Sequence, residues 1–150
     1  MYQTEHGPSG GQYGIGRDEF NFIEIGKNYG WPIILGDQTK TGLETPFLNS
    51  GSDTWAPGGM AYVSLPDKDF PQLNNGHVYF GGLRGQTLYR LSVDGEYPDL
   101  KEHFKGQFGR IRDVILGPDN MLYITTSNRD GRGSPSPDDD KIIRINPEKL

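Results

Sequence analysis

The sequence predicts an all-β protein built from repeated antiparallel hairpins, and three observations carry that reading. No window of a dozen residues keeps apolar positions at i, i+3, i+4 and i+7 without an intervening glycine or proline, which excludes amphipathic helices. Short β-branched and aromatic runs bounded by Gly, Pro, Asn and Asp recur along the chain instead. These runs pair into a repeat whose marker tyrosines, Tyr2, Tyr79 and Tyr123, lie 77 and 44 residues apart. A 44-residue period is that of a four-stranded propeller blade, and the longer interval accommodates the Gly-, Thr-, Asn- and Pro-rich segment 36–58 as an inserted loop. An antiparallel sandwich also supplies similar hairpins; the period favours blades.

The elements follow in order. The first and weakest copy runs from Met1-Tyr2-Gln3-Thr4-Glu5-His6-Gly7-Pro8 into a strand expected at 21–25. The second takes Val78-Tyr79-Phe80-Gly81-Gly82-Leu83-Arg84-Gly85 into Leu88-Tyr89-Arg90-Leu91, with strands expected at 77–80 and 87–91. The third takes Leu122-Tyr123-Ile124-Thr125-Thr126-Ser127-Asn128-Arg129, past a loop, into Ile142-Ile143-Arg144-Ile145, with strands expected at 121–124 and 141–145. The last two copies are preceded by segments 66–75 and 109–116, whereas the first begins at its tyrosine strand, so the chain is expected to start inside a blade. The expectation is a single domain over 1–150, with blades near 1–58, 59–105 and 106–150.

Composition narrows the function classes. With 150 residues, a large multidomain enzyme is excluded. The 22 glycines and 11 prolines together stay short of the roughly 25–30% that would signal disorder. Eight tyrosines, seven phenylalanines and two tryptophans argue for a packed, loop-rich protein. No run approaches the ~18 apolar residues of a membrane span, and no basic-then-apolar leader stands at the N-terminus. Absence of cysteine removes disulfides, thiolate metal sites and cysteine nucleophiles but leaves the compartment open. A net charge of −5 argues against general nucleic-acid binding. Seven of the eight arginines lie beyond residue 75.

The most informative residues are Glu5-His6-Gly7-Pro8, Asp18-Glu19-Phe20-Asn21-Phe22-Ile23 and Gly26-Lys27-Asn28-Tyr29-Gly30-Trp31-Pro32. With Gly82-Leu83-Arg84-Gly85, Gly109-Arg110-Ile111-Arg112-Asp113-Val114 and Gly117-Pro118-Asp119, this set resembles the soluble quinoprotein glucose/sorbosone (aldose sugar) dehydrogenases. The motifs fall in the family's order and reach across nearly all of the chain. The resemblance implies a six-bladed propeller holding pyrroloquinoline quinone (PQQ) and Ca²⁺ at the top of its channel, of which this chain matches the C-terminal half, about three blades. It also implies that the family's catalytic histidine, and its Arg-Asn pair facing the quinone carbonyls, lie in the other half. Members of such families are usually periplasmic or secreted.

Arg110 and Arg112 stand at i and i+2 of a strand start, so their side chains should share one face, and planar guanidinium forks suit the carboxylates of a tricarboxylate cofactor. Arg84, between glycines at a strand end, is placed to approach a ligand closely. By itself, Arg-Ile-Arg alternation also describes a solvated strand face. With the resemblance, Arg84, Arg110 and Arg112 are the expected cofactor-binding residues.

Gly7 and Pro8 match the family positions whose backbone carbonyls coordinate Ca²⁺, chemistry that suits a hard cation; Gly-Pro equally marks an ordinary turn. Trp55 lies in a loop that borders the family's sugar site, where it would stack on the substrate or anchor the loop. His6, His77 and His103 show no metal-ligand spacing and none matches the family base. Asp138-Asp139-Asp140 lacks the spacing of a Ca²⁺ loop and reads as solvated. No catalytic residue is assigned within the chain. The implied activity is oxidation of a sugar C1 hydroxyl to the lactone, with the chain inactive alone. The alternative is a non-catalytic half-propeller. Either way, exposed blade edges predict a homodimer closing a six-bladed ring, or a partner that supplies the N-terminal half.

Overall fold

The computed structural model describes residues 1–66, 74–95 and 97–150; most of the segment 66–75 expected to lead into the second repeat lies outside them. Among the described residues there is no α-helix, only two 3₁₀ turns at Gly11–Tyr13 and Pro147–Lys149. The described residues form ten strands in three antiparallel sheets. The chain divides into two compact units, Met1–Pro57 and Gly58–Leu150.

The first unit carries a three-stranded sheet of β1 (Tyr2–Glu5), β2 (Glu19–Phe22) and β3 (Leu48–Asn49), in that order. Its register pairs Tyr2 with Phe22, Gln3 with Asn21, Thr4 with Phe20 and Glu5 with Glu19. Alternation therefore divides the sheet into an aromatic face, where Phe20 is fully buried among Tyr2, Phe22 and Phe47, and a polar face with Gln3, Glu5, Glu19 and Asn21. The strand expected at 21–25 ends earlier, at Phe22, because the Tyr29 hydroxyl donates to the Phe22 carbonyl and accepts from the Glu24 N–H, turning the chain away.

The second unit holds β4 (Pro57–Pro66), which begins at the last residue of the first unit, then β5 (Asn74–Gly82), β6 (Leu88–Ser92) and β7 (Asp99–His103) as a four-stranded meander in sequence order. A second sheet, in the order β10-β9-β8, comprises β8 (Ile111–Leu116), β9 (Leu122–Thr126) and β10 (Ile142–Ile145). Four strands per repeat were expected; one sheet has four and the other two have three. Both sheets of this unit share a core: Ala61 and Val63 of β4, Tyr79, Leu88, Ile111 and Val114, and Leu122, Ile124 and Ile145. The inner strands approach closely because glycine stands at the contact. A Cβ on Gly58 would sit 2.2 Å from the Arg112 carbonyl oxygen, and one on Gly81 2.7 Å from the Ile111 side chain.

Candidate functional site

In the first unit the Gly7-Pro8 turn and the Trp55 loop are fastened by one side chain, Asp18. Its carboxylate, 2% exposed, accepts the Gly7 N–H through Oδ1 and the Ala56 N–H through Oδ2, each at 2.8 Å. The Asp18 N–H donates to Ser50 Oγ at 2.9 Å, so the carboxylate is itself held in place. Gly7 has no space for a side chain, since a Cβ would lie 1.9 Å from the Gly16 carbonyl oxygen. With its N–H taken by Asp18 and no side chain possible, this residue can offer a hard cation only its carbonyl, the same group Pro8 is limited to. Among the described residues, no group of three or more His, Asp or Glu side chains comes together as a metal site. His6 is exposed, and its Nε2 is engaged 2.8 Å from the Pro57 carbonyl oxygen. Trp55 is only 6% exposed, which favours the loop anchor over the stacking platform.

In the second unit, Arg110 and Arg112 do converge, though not as like neighbours on one strand face. A register irregularity between Ile111 and Asp113 puts Arg112 on a bulge. The Arg110 side chain is 9% exposed and that of Arg112 is 48% exposed. Both reach the same atom, Oδ2 of Asp130: Arg110 through Nε at 3.1 Å and Nη2 at 2.9 Å, Arg112 through Nη2 at 3.0 Å. Ser127 Oγ donates to the same oxygen at 3.2 Å and accepts from Arg112 Nη2 at 3.1 Å. The Asp130 carboxyl is held down to about 2, first by the Arg132 backbone N–H on its other oxygen and then by Arg110.

Arg110 also ties this loop to the turn that carries Arg84, because its Nη1 donates to the Leu83 carbonyl at 3.2 Å. Arg84 itself is exposed, with no hydrogen bond or ion pair among the described residues. The turn is fixed from within by fully buried Thr87, whose hydroxyl donates to the Gly85 carbonyl at 2.7 Å. Asn128, 4% exposed, completes the frame: its Oδ1 accepts the Arg110 N–H at 2.8 Å and its Nδ2 donates to the Phe108 carbonyl at 2.9 Å. Gly109 is required there, because its φ is +70° and a Cβ would lie 2.2 Å from Asn128 Oδ1.

Sequence reasoning gave no role to Asp18, Asn128 or Asp130, polar residues in loops whose partners include residues 11 to 38 positions away. The aspartate run is also less solvated than expected. Asp140 Oδ1 accepts the Asn128 N–H, and the Asp139 side chain is 6% exposed, accepting the Ser136 N–H at 2.7 Å. Asp119 of the Gly-Pro-Asp motif closes its own turn, bonding Tyr123 Oη and Arg144 Nε. His77 and His103 sit on the β5–β7 sheet, and burial pushes both imidazoles below their ordinary value.

The family model for Glucose / Sorbosone dehydrogenase matches residues 1–144. The aldose sugar dehydrogenase YliI of Escherichia coli K12 is 32% identical over 144 residues, covering 87% of this chain and 36% of that protein. A crystal structure from Thermus thermophilus, named as an oxidoreductase (glucose dehydrogenase), is 40% identical with a TM-score of 0.80, over 95% of this chain and 40% of its own. The PQQ-bound form of aldose sugar dehydrogenase from Streptomyces coelicolor is 33% identical with a TM-score of 0.77, over 95% of this chain and 38% of its own. The chain thus spans well under half the length of these relatives.

Proposed function

The chain belongs to the glucose/sorbosone dehydrogenase family, and from that premise we propose that it forms the cofactor-binding portion of a PQQ-dependent aldose sugar dehydrogenase, which oxidises a sugar C1 hydroxyl to the lactone. The observation that carries the reading is the match along nearly the whole chain, with 33% identity to a protein solved with PQQ bound. When bound, PQQ supplies the two-electron acceptor and Ca²⁺ the Lewis acid; this chain's residues bind and orient. In this reading Arg84, Arg110 and Arg112 would bind the cofactor's carboxylates, and the carbonyls of Gly7 and Pro8, on the turn held by Asp18, would be the groups offered to the cation. Trp55 anchors the loop bordering the sugar.

A base within hydrogen-bond reach of the substrate hydroxyl is required. His6 is engaged by the Pro57 carbonyl, and His77 and His103 are built into a sheet. In this reading the base therefore comes from the part of the relatives that this chain does not span, and the 150-residue chain alone turns over no sugar. A second reading, a non-catalytic homodimer closing a six-bladed ring, is favoured by exposed Ile115, Leu116 and Ile142 on β8 and β10. Because a ligand that binds only the folded state raises its stability, PQQ with Ca²⁺ is expected to raise the melting temperature of the chain. An unchanged melting temperature at saturating PQQ contradicts the cofactor reading.

A further inference from the structure

We propose that the first unit carries a binding site for a neutral, hydroxyl-rich ring such as a pyranose, in the cavity between the end of β2 and the segment leading into β3. The cavity holds about 360 Å³, within the range of small-molecule sites, and its lining includes Phe22, Tyr29 and Phe47 together with Glu24, Lys27 and Glu44. None of these residues enters the cofactor reading, so this site stands or falls apart from it.

The walls are set before any ligand arrives. The Phe22 and Phe47 rings lie with centroids 4.5 Å apart, and Phe47 also packs on fully buried Phe20. Tyr29 spends its hydroxyl on both sides, donating to the Phe22 carbonyl and accepting the Glu24 N–H at 2.9 Å, so what it offers the cavity is its ring. The Glu44 N–H donates to the Asn28 carbonyl at 2.8 Å, which ties the turn carrying Lys27 and Tyr29 to the segment carrying Phe47. A site fixed in this way loses little further freedom when it is filled.

Exposed charges surround this aromatic floor. Lys27 Nζ donates to Glu44 Oε1 at 2.8 Å, with the two side chains 45% and 42% exposed. An ammonium has three donors, so two of those on Lys27 remain free among the described residues. The Glu24 side chain is exposed and its carboxylate accepts no hydrogen bond among the described residues. Donors and acceptors therefore stand side by side around flat apolar rings. A cationic ligand would compete for the carboxylates with Lys27, which is tethered in place. An anionic one would meet two carboxylates against a single ammonium. A purely apolar ring would cover charged groups without giving them partners. A hydroxylated ring avoids all three costs: each hydroxyl both donates and accepts, serving a carboxylate and the ammonium in turn, while its C–H face covers the phenylalanines.

The test is titration of the 150-residue chain with methyl glucoside, followed through backbone amide shifts in nuclear magnetic resonance, with neither PQQ nor Ca²⁺ added. The C1 oxygen of this sugar is capped, so the outcome does not depend on the chain belonging to a sugar-oxidising enzyme. Saturable shifts at residues 22–29 and 44–47 are expected, with a dissociation constant in the millimolar range, as suits a small polar ligand. Glu24→Ala and Phe47→Leu are each expected to weaken binding about tenfold, the first by removing a charge-assisted hydrogen bond and the second by removing a flat ring while keeping apolar contact with Phe20. Because Glu24 is exposed, Glu24→Ala decides the matter even where Phe47→Leu fails to fold. Shifts that never saturate, shifts confined to other residues, or an affinity indifferent to Glu24→Ala overturn the site. Butylammonium binding more tightly than the glucoside also overturns it, since that marks an aromatic cage for cations.

Discussion

At Gly7 the chain passes within van der Waals distance of the Gly16–Arg17 backbone, and neither side can yield without breaking the turn that Asp18 holds. Gly7→Ala is expected to cost about 1–3 kcal/mol or more, as overpacking does, read as a drop in unfolding free energy in denaturant. Asp18→Ala should do similar damage by orphaning two buried N–H groups, and an unchanged midpoint in both variants would dissolve this account of the turn. Glu19 behaves differently. Burial first, and then the Glu5 carboxylate opposite it, push its carboxyl above the ordinary value, against hydrogen bonds from Asn21 and Gly36 that lower it. The folded state thus holds its proton more tightly than the unfolded state, so this residue's contribution is greatest at acid pH and declines as pH rises from the ordinary carboxyl range through the raised value. Relative to wild type, Glu19→Gln should therefore gain stability as pH is raised through that window; a pH-independent difference would show that Glu19 is not perturbed.

Among the elements, β4 and β8 show how glycine spacing sets packing. Gly58 meets the Arg112 backbone, whereas Gly59 meets Asp113 Oδ1, the movable end of an exposed side chain. Gly58→Ala is expected to lower the melting temperature by several degrees and Gly59→Ala by clearly less, with equal effects contradicting the close approach of the two backbones. The same residues explain what was legible beforehand. Strands β5, β6 and β9 stand out in the sequence because buried strands are written in Val, Ile, Leu and aromatic residues, and β10 stands out through its isoleucines although only Ile145 of it is buried. Strand β4 was hidden because its Pro57-Gly58-Gly59 start reads as a loop, although those glycines are what its neighbour demands. Strand β7, Asp-Leu-Lys-Glu-His, lies at the sheet edge with mostly exposed side chains, and such a strand carries no apolar signature. The arginines of the site were visible as a cluster, but Asp130 was not, because its meeting with Arg110 and Arg112 depends on a bulge and a loop that no local spacing encodes.

For the molecule as a whole, the two compact units divide the proposed chemistry: the turn offering carbonyls to a cation lies in Met1–Pro57, and the arginines lie in Gly58–Leu150. The relatives use more than twice this length, so in the proposed enzyme a complementary segment completes the ring and supplies the catalytic base, whereas in the second reading a second copy of this chain closes the ring without one. Light scattering is expected to show a dimer for the chain alone, and a stable monomer near 16.7 kDa at micromolar concentration would remove the second-copy route. The central claim, that these 150 residues carry a PQQ-binding wall built on arginine, is tested most directly by calorimetric titration of the chain with PQQ in the presence of Ca²⁺ at low and high salt. The account predicts saturable binding that weakens with salt and weakens about tenfold in Arg84→Gln and in Arg112→Gln; heat that never saturates, or an affinity indifferent to both substitutions, would contradict it.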